Sequence, residues 1–275
     1  MRLATLSWLE LGSLGASKAA SVPVAVAAGS AGADDKKDDR KLDARTIVDK
    51  VVDADPFGMM DSTLTGRAVL HDKNKDERIL EFHMDALRYK PGLAKTITRF
   101  SAPADIAGVG FLQIMRDDSD DDRFLYLPDL KKSRRISGAL RNNSFMGTDF
   151  SFADLDMRDL RESKATQTGT EKIGKFEYYK LDVIPTREDT NYSKFELWVR
   201  TDNFLVLKWL MYDKSKTLLK TWQASEMKRV DGHWYASKGR IENHREKHTT
   251  DMFLDNMKAT KVAETEFSVN KLEKL

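Results

Sequence analysis

FLYLPDLKKSRRISGALRNNSFMGTDFSFADL, residues 124–155, is where the pattern of this 275-residue chain changes period. It begins as a strand, turns at Pro128-Asp129 and returns through the basic run Lys131-Lys132-Ser133-Arg134-Arg135. Beyond that run it follows neither a two-residue nor a 3.6-residue period. Phe145, Met146, Phe150 and Phe152 stand there among Asn, Ser, Gly, Thr and Asp. Large apolar side chains in a loop-like setting need something to pack against, and the neighbouring strands are the candidate. The segment is expected to plug or cover the open face of a curved sheet, beside a site for an apolar ligand. Phe145, Met146, Phe150 and Phe152, with Leu125 and Leu127 on the strand leading in, are the expected lid and cavity residues. Gly147 and Asp149 imply a bent backbone beneath the aromatics, a common way for a loop to present a binding surface.

On both sides of this stretch the apolar period is two. Leu80, Phe82, Met84 and Ala86 alternate with Glu81, His83 and Asp85, so one face of that strand is apolar and the other wet, as in an antiparallel sheet covered on one side. Upstream, strands are expected over residues 64–71, 78–89, 94–100, 109–115 and 124–127, with the polar turn Lys73-Asn74-Lys75-Asp76 and the turn Pro91-Gly92 between them. Downstream they are expected over 171–184, 192–199, 205–211, 218–227, 233–241 and 249–257. Eleven or twelve short strands without a fixed repeat argue for a mainly β barrel or sandwich and against an α/β fold. One long helix is expected, over residues 44–54. Ile47, Val48, Val51 and Val52 form its apolar stripe, Asp43 its N-cap, and Pro56 and Gly58 its end.

Hydrophobic residues make up 40% and charged residues 33%, a soluble composition able to bury a core. Forty-six basic and 44 acidic residues nearly balance at +2, which gives no basic face for nucleic acid. The absence of Cys rules out disulfides, thiol catalysis and thiolate metal sites. Residues 21–33, SVPVAVAAGSAGA, are small and apolar and stop at the charged run DDKKDDR. Residues 1–33 are read as an export signal with an A-x-A cleavage site before Asp34, and 34–43 as a charged linker; a disordered Ala/Gly-rich tail is the alternative. No later apolar run is long enough for a spanning helix.

Motifs for chemistry fail on inspection. Asp118, Asp120 and Asp122 follow the start of a calcium loop, but Arg123 stands where Gly is required and Asp129 where Glu is. A hairpin loop with cross-strand charge pairing to the basic run is expected instead. His244 and His248 have the spacing of a zinc helix, yet Arg245 occupies the position of the general base, and the segment reads as a turn between strands. No nucleophile elbow, P-loop or dinucleotide fingerprint occurs, and no carboxylate pair is marked by an apolar setting. The chain is expected not to be an enzyme, with no cofactor and no metal. Trp198, Trp209 and Trp222 are expected to be packing residues.

ITRFSAPADIAGVGFL (97–112), FLYLPDLKKSRRIS (124–137) and NNSFMGTDFSFADL (142–155) together resemble the LolA-like outer-membrane lipoprotein-sorting protein family, and YSKFELWV (192–199) and KTLLKTW (216–222) resemble its C-terminal half. The likeness runs over about residues 44–257. It implies one domain over 44–275: a large antiparallel sheet curved into an unclosed half β-barrel with a helical lid and an apolar interior. By the same resemblance the 44–54 helix and the 145–155 segment are lid elements. Relatives are periplasmic carriers of acyl chains or lipid-anchored proteins, and many appear beside RND-type exporters. The expected partners are lipid or lipoprotein acyl chains, with a membrane transporter or outer-membrane acceptor. For a carrier, an open apolar cavity of several hundred Å3 is expected. The alternative is an accessory or sensor module that docks to an RND-type exporter without lipid transfer, its pocket filled by side chains.

Overall fold

Alternation with period two from residue 62 onward folds as antiparallel sheet. The computed structural model describes residues 42–54, 61–74, 76–155 and 157–274. Its strands are β1 (Ser62–His71), β2 (Glu77–Lys90), β3 (Leu93–Ala102), β4 (Gly110–Ile114), β5 (Asp122–Leu127), β6 (Lys132–Arg135), β7 (Ser163–Ile173), β8 (Phe176–Pro185), β9 (Tyr192–Arg200), β10 (Val206–Asp213), β11 (Leu218–Val230), β12 (His233–Asn243) and β13 (His248–Ala259). They form a single sheet in the order β6-β5-β4-β3-β2-β1-β13-β12-β11-β10-β9-β8-β7, not closed into a barrel. Two meanders, β1–β6 and β7–β13, meet at a central seam where β1 pairs antiparallel with β13. The segment between β6 and β7 therefore starts at one edge of the sheet and ends at the other. It crosses the concave face.

Helix α1 (Ala44–Ala54) lies over the same face, and Ile47, Val48, Val51 and Val52 are all buried there. Asp43 caps it, its Oδ1 accepting the Thr46 N–H at 2.9 Å. Arg45 donates to the backbone carbonyls of Leu160 and Ser163, which ties the helix to the short helix α2 (Arg158–Arg161) at the end of the crossing segment. The main core joins α1, the crossing segment and the inner sides of β8–β12. A second cluster lies under β1, β2 and β3.

Four expectations change in detail. The segment 171–184 is not one strand but the meeting of β7 and β8 across the turn at Gly174-Lys175. β7, SKATQTGTEKI, was hidden because it is an edge strand with almost no large apolar residue. The thirteen strands among the described residues accordingly exceed the expected eleven or twelve. Trp198 does not pack in the core. It lies half-exposed on the outer side of β9, donating to Glu171 at 2.9 Å and stacked by Lys180 and Lys208. Last, the convex side of β2–β5 is covered too. Phe267 and Leu272, from the tail that carries α3 (Val269–Leu272), close over Leu87, Ile97, Leu112 and Tyr126. The expected export signal, most of the charged linker, the helix end at Pro56 and Gly58 and the turn residue Lys75 lie outside the described residues.

Candidate ligand-binding site

The crossing segment folds back on itself as a small plug. Phe145 donates its N–H to the Phe150 carbonyl at 2.7 Å, and Thr148 donates to the Phe145 carbonyl at 2.9 Å. Between them Met146 and Gly147 both take positive φ, +53° and +83°. That is the geometry of a type I′ turn, which explains Gly147. Ser144 and Ser151 pair across the base.

Buried polar side chains hold the plug to the second meander. The Asp149 carboxylate accepts from the Thr250 hydroxyl at 2.7 Å and lies 2.8 Å from Nδ1 of His248, both on β13. Thr250 Oγ1 in turn accepts the Asp149 N–H at 3.0 Å. Five residues on, Asp154 accepts from Lys220 Nζ at 2.7 Å and from the Tyr192 hydroxyl at 2.6 Å. Burial, and next the Asp154 carboxylate, push the Tyr192 phenol well above its ordinary range. Asp159 accepts from Thr190 at 2.6 Å and from Arg141. Asp121, Asp149, Asp154 and Asp159 are all buried, each among hydrogen-bond donors or cations rather than in an apolar setting. Asp149, Asp154 and Asp159 looked like loop residues because partners such as Thr250, Lys220 and Thr190 are remote in sequence.

Against the first meander the plug is aromatic. The Phe145 ring lies 5.0 Å from Phe111, 5.4 Å from Phe152 and 5.9 Å from Phe100. Phe150 reaches the second meander instead, packing on Trp222 of β11 at 5.7 Å. Between the plug and the sheet is a cavity of about 130 Å3. Its wall runs from Val52 of α1 through the inner sides of β1–β4 to Trp222, Ala236 and Met252, and is almost wholly apolar. Its polar members are Thr96, Thr98, Gln113 and Thr148, and no charged side chain among the described residues lines it. On the other side of the plug a polar cavity of about 170 Å3 is bordered by Asp149, Tyr192, Lys220 and Arg245. Thr148 and Phe150 border both.

Of the expected site residues, Phe145 and Phe150 form part of the apolar wall. Met146, Phe152, Leu125 and Leu127 do not. Met146 is turned back towards the cluster under β1 and β2. Phe152 packs with Phe111 and Ile136, and Leu125 and Leu127 lie behind these residues on β5. Gln113, Met252 and the wall-forming role of Trp222 were not anticipated, because strand alternation identifies an inward side chain without telling core from cavity. The second half of the acidic run pairs with arginines: Asp122 binds Arg116 and Arg135, each at 2.6 Å, and Asp120 faces Arg187. Cross-strand pairing of the run with the basic ribbon is thus present at Arg135. Among the described residues no group of three or more His, Cys, Asp or Glu is arranged to hold a metal.

A protein-family model described as an uncharacterized protein family matches residues 92–274. A solved domain from Vibrio parahaemolyticus, named for outer membrane lipoprotein sorting, superposes with a TM-score of 0.76 at 27% identity, covering 84% of this chain and 98% of that one. The chain belongs to the LolA-like outer-membrane lipoprotein-sorting protein family. A DUF1329 family protein from Desulfovibrio piger is equally similar, with a TM-score of 0.76 at 26% identity over 83% of this chain and 97% of that one. A LolA superfamily protein from Nitrosomonas europaea shares the fold with a TM-score of 0.64 at 18% identity, over 84% and 99%. No curated protein matches the chain in sequence. The LolA-like fold thus places the plugged apolar cavity inside a half-barrel of the lipoprotein-sorting type.

Proposed function

We propose that this protein is a periplasmic carrier that binds lipid, or the acyl chains of lipoproteins, and passes them towards the outer membrane. The observation that carries this is the apolar cavity, lined by no charged side chain among the described residues, under an aromatic plug in a fold of the lipoprotein-sorting type. The function is binding and transfer, not catalysis. Each buried methylene contributes about 0.8 kcal/mol, so even part of an acyl chain would be held. At about 130 Å3 the cavity is smaller than the several hundred Å3 expected of a loaded carrier. Cargo entry therefore requires the Phe145 and Phe150 rings to give way, with α1 and the plug acting as the lid. Extracting lipid from the purified full chain and identifying it by mass spectrometry tests the proposal. Absence of lipid together with no binding of a fluorescent acyl probe would overturn it.

The small cavity also favours a second reading, an accessory or sensor module whose pocket is filled by its own plug and which docks to an RND-type exporter. That reading predicts a transporter captured in a pull-down with undiminished yield after delipidation.

A further inference from the structure

Gln113 sits where the pattern of β4 calls for an apolar residue. Phe111, Gln113 and Met115 point successively into the cavity, and Gln113 is only 4% exposed. Its Nε2 is buried and has no hydrogen-bond partner among the described residues. An amide donor in that state is costly, because it has lost water and gained nothing. Leucine or methionine would fill the same place without that cost, and would suit a cavity that takes only hydrocarbon. Its cross-strand neighbour Thr96 borders the same space, as does Thr98. The polar corner faces the β3–β4 wall.

Resting on the carrier reading, we propose that the cargo is a neutral oxygen-bearing lipid whose hydroxyl or carbonyl oxygen accepts the Nε2–H of Gln113. Neutrality follows from the wall. Among the described residues no Lys, Arg, His, Asp or Glu lines the cavity, so an ionised carboxylate would be buried without a counter-charge from them. The guanidinium nearest in register, Arg123 on β5, is engaged by Asp121 at 3.2 Å. A hydroxyl or an ester or ketone carbonyl meets the amide without that cost. The cargo is thus selected by one hydrogen bond at the wall and by apolar contact elsewhere, so a fatty alcohol or an ester fits and a free fatty acid anion does not.

The test is displacement of a fluorescent acyl probe from the full chain by 1-dodecanol, methyl dodecanoate, dodecanoate at neutral pH and n-dodecane, in wild type and Gln113→Leu. In the variant, the affinity of the alcohol and the ester relative to the alkane should fall about fivefold to tenfold, while the alkane binds as well or better. Dodecanoate should be the weakest of the oxygenated ligands for wild type. Gln113→Met repeats the comparison should the leucine variant fold poorly. In 15N-labelled wild type, 1-dodecanol should shift the Gln113 side-chain amide pair and dodecane should not; this readout needs no folded variant. An unchanged ratio, or an amide pair that ignores the alcohol, overturns the inference and leaves the carrier standing. Failure of every ligand to bind removes both.

Discussion

Gly239 has no side chain because the Trp222 ring occupies the space: a Cβ there would lie 2.2 Å from the indole. Gly66 stands in the same relation to Phe82, also at 2.2 Å. Neither glycine serves a turn; each is the floor beneath a ring on the concave face. Gly239→Ala should push Trp222 into the cavity and cost about 1–3 kcal/mol, read as a lower urea midpoint with weaker acyl-probe binding. A midpoint equal to wild type would mean that the ring has room to move. The clash partner sits on another strand, so a glycine in a strand pattern announces a close approach without saying to what. Tyr192 carries a pH dependence. Its raised pKa means that the folded chain keeps a proton that the unfolded chain, titrating near 10.0, releases. Its contribution to stability is therefore full below about pH 10 and falls as the pH rises beyond it. Tyr192→Phe should flatten that alkaline loss in urea midpoints taken between about pH 8 and 11. It should also cost about 1–3 kcal/mol at neutral pH by leaving the Asp154 carboxylate one donor short. The same alkaline slope in both proteins would assign it to another group.

Among the elements, the plug has two characters: its polar latches reach β11 and β13, and its rings pack on Phe100 and Phe111 of β3 and β4 and on Trp222 of β11. Asp149→Ala removes the acceptor that Thr250 and His248 share. Amide exchange at Phe145 and Thr148 should then rise at least about tenfold, with exchange in β8–β12 unchanged. Equal protection in the variant would show that the aromatic side alone holds the plug. Phe145 is half-exposed whereas Phe150 is buried at 3%, so the two aromatics are not equivalent probes. Phe145→Ser should lower acyl-probe affinity at least about tenfold with the sheet intact by circular dichroism; Phe150→Ser, removing a core ring from Trp222, should also cost about 3–5 kcal/mol. Retained probe affinity in Phe145→Ser would take the plug out of the binding site. The plug was legible in sequence because Phe145, Phe150 and Phe152 break the strand period. Its latches were not, because Asp149 and Asp154 look like ordinary loop acids until Thr250, Lys220 and Tyr192 are brought to them. Likewise α1 was legible from Ile47, Val48, Val51 and Val52, whereas β7 exposes most of its side chains and leaves no apolar trace.

At the scale of the molecule, the sheet is covered on both sides but unequally. Among the described residues the concave face is covered by α1 and the plug, and the convex face over β2–β5 by Phe267 and Leu272. Leu272 is fully buried, so Leu272→Ala should cost about 2–5 kcal/mol and expose an apolar patch to a dye such as ANS. An unfolding midpoint unchanged within error would reduce the tail to a passenger. The tail escaped notice in the sequence because Phe267 and Leu272 are isolated apolar residues between Glu, Ser and Lys, with no periodicity to link them. The mainly β class, by contrast, was plain from the alternation at Leu80, Phe82, Met84 and Ala86, which the two-sided environment of β2 preserves.

The seam between β1 and β13 sets a clock for assembly. Thr65 and Asp255 are bonded neighbours although 190 positions separate them, and β1 has one open edge until β13 exists. The first meander and the plug segment are made long before Thr250 and His248 are available to latch it. Pairing at such a separation is slow to form, because the loop-closure entropy is lost before the contacts repay it. The latch on the plug therefore depends on the pairing of greatest sequence separation at the seam: without β13 in place, neither Thr250 nor His248 is there to hold Asp149.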